Sequence, residues 1–124
     1  MKLLGRKNRV LNKDQWLRLV PAPECEAEWE GQQAVLLIPR ARNPVLKFFV
    51  SILNSKPHFR LKLDAVGSFV WQQVDGQRSI GEICQALEAQ FQEKVRPADE
   101  RTIEFFKRLY IYRAVRFFSP TNPQ

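Results

Sequence analysis

The stretch that decides the fold is residues 63–83, Leu63-Asp64-Ala65-Val66-Gly67-Ser68-Phe69-Val70-Trp71-Gln72-Gln73-Val74-Asp75-Gly76-Gln77-Arg78-Ser79-Ile80-Gly81-Glu82-Ile83. Asp64 is placed to cap a helix, its carboxylate accepting from the free N–H groups of the first turn. Val66, Phe69, Val70 and Val74 recur at i, i+3, i+4 and i+8, an apolar stripe of helical period. Gly76 follows, where a left-handed C′ residue would close the helix at no Cβ cost. Ser79 and Glu82 then make the S-x-x-E capping box of a second helix. Two amphipathic helices joined by a tight turn satisfy all of these signals.

Just upstream, His58-Phe59-Arg60-Leu61-Lys62-Leu63 alternates, with Phe59, Leu61 and Leu63 on one face and His58, Arg60 and Lys62 on the other. Period two predicts a strand, basic on its exposed face. Cys25-Glu26-Ala27-Glu28-Trp29-Glu30 alternates in the same way, predicting Cys25, Ala27 and Trp29 inward and three glutamates outward. Gly31 supplies a turn, and Ala34-Val35-Leu36-Leu37-Ile38, stopped by Pro39, is the return strand of a hairpin. Between hairpin and third strand lies an insertion, residues 40–57. Asn43-Pro44 could open a short helix through Val45–Leu53, although the same run is β-branched and aromatic enough for a strand.

Downstream, Ile80, Ile83, Leu87 and Phe91 predict the buried face of the second helix, which ends near Gln92. Pro97, Asp99 and Glu100 mark the first turn of a third helix over about residues 97–113, acidic where the helix dipole favours it. Ile103, Phe106, Leu109 and Tyr110 form its core stripe. Arg101, Phe105, Arg108 and Tyr112 fall on nearly the opposite side. Aromatics interleaved with arginines there mean either that the arm or tail packs over them or that they bind something. Val115 and Phe117 alternate in a last extended segment.

The chain of 124 residues is therefore read as α+β: a small winged-helix-like domain with a three-stranded antiparallel element and a three-helix bundle. The domain is expected over residues 23–118, with a basic arm at 1–22 and a tail at 119–124. In the arm, Lys2, Arg6, Lys7, Arg9, Lys13 and Arg18 face a single acid, Asp14, without periodicity.

A 44% apolar composition suits a globular chain. No apolar run reaches the ~18 residues of a membrane span, and the N-terminus lacks a signal peptide's apolar stretch. The expected location is the cytoplasm, where Cys25 and Cys84 are small buried thiols. One histidine, His58, and no nucleophile–base pair, metal-ligand cluster or phosphate loop leave no catalytic residue, metal site or cofactor to propose. The formal charge of +7 points to an anionic partner: nucleic acid, an acidic peptide or an acidic protein face.

Leu63-Asp64, Gly67, Val70-Trp71, Asp75-Gly76, Arg78-Ser79-Ile80 and Glu82-Ile83 together resemble the signature of the PqqD family. That family is named for a pyrroloquinoline quinone biosynthesis protein, and its domain is also called the RiPP recognition element. The resemblance runs from about Cys25 to Phe118. Founding members have a shorter connection at 40–57, so the insertion is a departure that either covers a hydrophobic surface or offers one.

The resemblance implies a non-enzymatic peptide chaperone of cofactor or natural-product biosynthesis. Such a domain binds the leader of a ribosomally made precursor peptide as an extra strand beside the third strand and against the third helix. It then presents the peptide to a modifying enzyme, commonly a radical S-adenosylmethionine enzyme. The matching positions here are His58, Phe59, Arg60, Leu61 and Lys62 on the strand, and Arg101, Phe105, Arg108 and Tyr112 on the helix. Their basic residues suit a peptide with acidic residues, and Phe105 and Tyr112 suit its apolar ones. A free strand edge and the apolar run at 45–53 also allow a homodimer.

The alternative is a winged-helix nucleic-acid-binding regulator. A recognition helix needs Arg, Lys, Asn or Gln near its N-terminus. The second helix begins Ile80-Gly81-Glu82-Ile83 and the third opens on Asp99-Glu100, which disfavours entry into a groove of phosphates.

Overall fold

The computed structural model describes residues 10–39 and 58–119. The insertion at 40–57, with its expected helix, lies outside the described residues. The architecture is α+β. Strand β1 spans Val20–Pro23, β2 Glu26–Glu30, β3 Gln33–Pro39, β4 His58–Lys62 and β5 Val115–Phe118. Helix α1 spans Lys13–Arg18, α2 Ala65–Gln72, α3 Ile80–Phe91 and α4 Ala98–Ile111.

The three expected strands form an antiparallel sheet ordered β2-β3-β4, with Leu36 opposite both Ala27 and Leu61. Its inner face buries Ala34, Leu36 and Ile38 against the helices. Trp29 shares that face but, at the hairpin end of the outermost strand, stays 43% exposed instead of buried. Charge runs over the other face. Arg60 and Lys62 of β4 reach across β3, Arg60 to Glu28 at 2.7 Å and to Glu30 at 2.9 Å, Lys62 to Glu30 at 3.0 Å. Val35, opposite Lys62 on that face, is buried although it points away from the core.

Both capped starts form as expected. Asp64 Oδ1 accepts from the Gly67 N–H at 2.8 Å, and Ser79 and Glu82 exchange both bonds of the capping box. Ser68 ties α2 to the sheet: its hydroxyl accepts from the Ala34 N–H at 2.8 Å and donates to the Leu63 carbonyl at 3.3 Å. Because α2 is tethered there, its buried face is Gly67, Ser68, Val70 and Trp71, while Val66 and Phe69 are only half-buried. Gly76 is left-handed, at φ +78°, but it does not end the helix, which stops at Gln72. It turns the following loop, where its N–H donates to the Pro21 carbonyl and the Asp75 carboxylate accepts from the Gln77 and Arg78 N–H groups.

The arm differs most from expectation. Residues 10–22, read as outside the domain, hold α1 and most of β1. Asn12 and Gln15 form a capping box that starts α1, and Trp16 is buried edge-on to Phe117, their centroids 5.6 Å apart. β1 pairs antiparallel with β5, so the two ends of the described chain clasp each other. Phe117 in turn contacts Phe106 and stacks on Tyr110 of α4. The described part of the arm and β5 therefore pack on the core side of α4, and those described residues leave its aromatic–arginine stripe uncovered. Periodicity could not reveal this, because the ordering of a six-residue helix depends on what Trp16 touches rather than on its own pattern. No helix among the described residues is long and apolar enough to cross a membrane.

Candidate functional site

β4 lies at the edge of its sheet, with no strand on its outer side among the described residues. Antiparallel pairs alternate between hydrogen-bonded and non-bonded partners. The Leu63 N–H donates to the Ala34 carbonyl at 2.8 Å, so Leu61 and Phe59, two and four residues back, also bond inward to β3. The N–H and C=O groups of Arg60 and Lys62 consequently point to the open edge. These are the groups a further strand would pair with.

Beside this edge runs the outward face of α4. An open cleft of about 670 Å³ separates its first half from Asp64, Val66, Gly67 and Val70. Gly67 sets the closeness of the walls: a Cβ there would lie 3.3 Å from the Phe105 ring. From α4, Glu100, Arg101, Glu104, Phe105 and Arg108 line the cleft. A second recess of about 330 Å³ continues at the far end, where Tyr112 and Ile111 meet Phe59, Ile38 and Pro39. There Tyr112 packs edge-on to Phe59, their centroids 5.7 Å apart. Since Asp64 follows the C-terminal end of β4 and Phe59 lies near its start, α4 runs antiparallel to the strand.

Several expected site residues meet in this groove. Phe105 and Arg108 line the cleft, and Phe59 and Tyr112 line the recess. His58 opens β4. Leu61 is inward and half-buried in the core. Arg101 borders the cleft, but its guanidinium donates to the Lys94 carbonyl at 2.8 Å. Arg60 and Lys62 are engaged by Glu28 and Glu30. Hydrogen bonding and charge from Lys62, then Arg60, hold the Glu30 carboxyl below the usual glutamate value.

Charge is distributed differently from what +7 suggests. The described residues contain twelve lysines and arginines against thirteen acids, a net of −1, and the other eight cations all lie in residues 1–9 and 40–57. The groove is therefore not basic. Three acids, Asp64, Glu100 and Glu104, line it with two cations, Arg101 and Arg108, and Arg108 stands beyond Phe105 along α4. The side chains of Glu100 and Arg108 have no ion-pair or hydrogen-bond partner among the described residues. Glu104 is 3.4 Å from Lys107. The sequence alone does not mark these acids or Gly67 as lining residues, although Glu100, Glu104 and Arg108 at i, i+4 and i+8 carry a readable signal.

Other chemistry finds little support. Among the described residues no group of His, Cys, Asp and Glu is spaced to hold a metal. Burial pushes the Cys84 thiol up to about 11, with the nearby Asp99 carboxylate adding to the shift. The buried Thr102 hydroxyl leans toward that sulfur, opposing the shift, without a hydrogen bond of normal geometry. Such a thiol is a core residue rather than a nucleophile.

Residues 35–115 match the family model described as Coenzyme PQQ synthesis protein D (PqqD). The match covers all of β4 and the helices that build the groove. No curated protein and no solved structure matches the chain.

Proposed function

The chain belongs to the PqqD family, and on that premise we propose that it is a non-catalytic peptide-binding adaptor. It binds the leader of a ribosomally made precursor peptide as an added strand on β4, against the outward face of α4. It presents that peptide to a modifying enzyme, of which a radical S-adenosylmethionine enzyme is the first candidate. The observation that carries this reading is the open edge of β4, with the main-chain groups of Arg60 and Lys62 turned outward between the recess at Phe59 and the cleft at Asp64. Main-chain bonding at that edge supplies affinity, and the flanking pockets supply selection.

The nucleic-acid reading has weaker support. α1 lies over the start of α3: the Ile80 N–H donates to the Leu19 carbonyl at 2.8 Å, and a Cβ on Gly81 would lie 3.2 Å from the Leu17 carbonyl oxygen. A helix whose first turn is covered is poorly placed to enter a major groove.

The test is calorimetric titration with the leader of a precursor peptide encoded beside this protein, with random duplex DNA as control. Lys62→Pro removes one outward N–H and should weaken any strand-adding peptide by about tenfold or more, whatever its sequence. Lys62→Ala, which loses the ion pair but keeps the N–H, should bind nearly as the parent does. Salt-sensitive binding of DNA with no affinity for the leader would overturn the adaptor reading.

A further inference from the structure

Resting on the strand-addition reading, we propose that the groove reads charge order: it selects an extended segment with a basic residue, an apolar residue and an acidic residue on one face, in that order from the N-terminus. The three positions follow from what lines the cleft. Along α4, Glu100 comes first, toward the end nearest the C-terminus of β4; Arg101 in the same turn donates its guanidinium to the Lys94 carbonyl, Glu104 flanks Phe105, which with Val66 and Val70 forms the apolar middle, and Arg108 stands beyond. Glu100 and Arg108, both exposed and unpartnered among the described residues, are the two charges free to take a ligand's counter-charges.

The spacing agrees. Eight residues of helix separate Glu100 from Arg108, a rise of about 12 Å. Residues i and i+4 of a strand lie about 13 Å apart on one face, with i+2 between them. A segment Lys-x-Leu-x-Glu therefore places its cation at Glu100, its leucine on Phe105 and its carboxylate at Arg108. Direction follows from antiparallel pairing, the commoner arrangement. A strand antiparallel to β4 starts at the Asp64 end, so the basic residue comes first. An acidic peptide, the partner suggested by a net charge of +7, would instead meet Glu100 and Glu104.

The experiment uses the full chain and three synthetic peptides on one threonine- and valine-rich scaffold, differing only in a central Lys-x-Leu-x-Glu, Glu-x-Leu-x-Lys or Gln-x-Leu-x-Gln. The first two have equal net charge, so attraction by the whole protein cancels. The Lys-first peptide should bind about tenfold more tightly than the Glu-first one, as expected for two exposed ion pairs made rather than opposed. The gap should narrow as salt rises. The double exchange Glu100→Arg with Arg108→Glu, at two exposed positions, should invert the preference. Equal affinities, a Glu-first preference in the parent, or an order unchanged by the exchange overturns the charge assignment while leaving strand addition standing. If none of the three binds and the precursor leader also fails, strand addition itself is overturned.

Discussion

The two faces of α4 make different use of the same helix. On the inner face Ile103, Phe106 and Leu109 are 6%, 0% and 1% exposed, packed with Phe117, α3 and the clasp of β1 and β5. On the outer face, Phe105 is half-buried, while Glu100, Arg108 and Tyr112 are exposed near a strand whose outer edge is open among the described residues. The inner face has every apolar group in contact; the outer has apolar and charged groups without a full set of partners. A helix needs only the first arrangement to be stable, so the second is available for recognition.

The largest expected effect tests the inner face. Phe106→Ala should cost about 3–5 kcal/mol by chemical denaturation, through lost burial and the cavity left behind. A loss under about 1 kcal/mol would erase the distinction between the faces. Next, Phe105→Ala and Tyr112→Ala should weaken binding of a leader peptide by about 1–3 kcal/mol while destabilising the fold much less than Phe106→Ala does. If Phe105→Ala unfolds the protein as readily, its ring belongs to the core and the cleft is incidental.

A smaller effect concerns α3, which supplies the inner face with its partner. Ser79→Ala should lose about 1 kcal/mol, because its hydroxyl accepts from the Glu82 N–H at 3.1 Å in the cap. Coincident melts of mutant and parent would mean that the helix start is held by its packing under α1 alone. The smallest effect lies in the charged belt that braces β4. The folded-state value of Glu30 is below the usual 4.5, so its contribution is present above that pH and is lost as pH falls through the folded value. A carboxyl titration by NMR should place Glu30 below a typical glutamate, and Lys62→Ala should move it back up. An unmoved titration would mean that β4 stands without the belt.

Local signals were readable because their causes are local. The Asp64 cap and the Ser79–Glu82 box are bonds between residues three apart, and the alternation at 58–62 follows from the pleat. From the sequence alone came the α+β class, the three-stranded sheet, the three main helices and the core stripe of α4. Only the tertiary structure decided which surfaces meet. It ordered α1 through Trp16 on Phe117 and paired Val20–Pro23 with Val115–Phe118. It also left Trp29 half in solvent, and it spent the cations of β4 on Glu28 and Glu30 rather than on a ligand. The cleft belongs to the same class of facts, since Gly67, Glu100 and Arg108 share it through the packing of α2 and α4, with Ser68 holding α2 to the sheet. Periodicity assigns a face to each residue, but burial and charge pairing depend on the neighbour that face acquires, and neighbours distant in sequence are set by the packing of the whole chain.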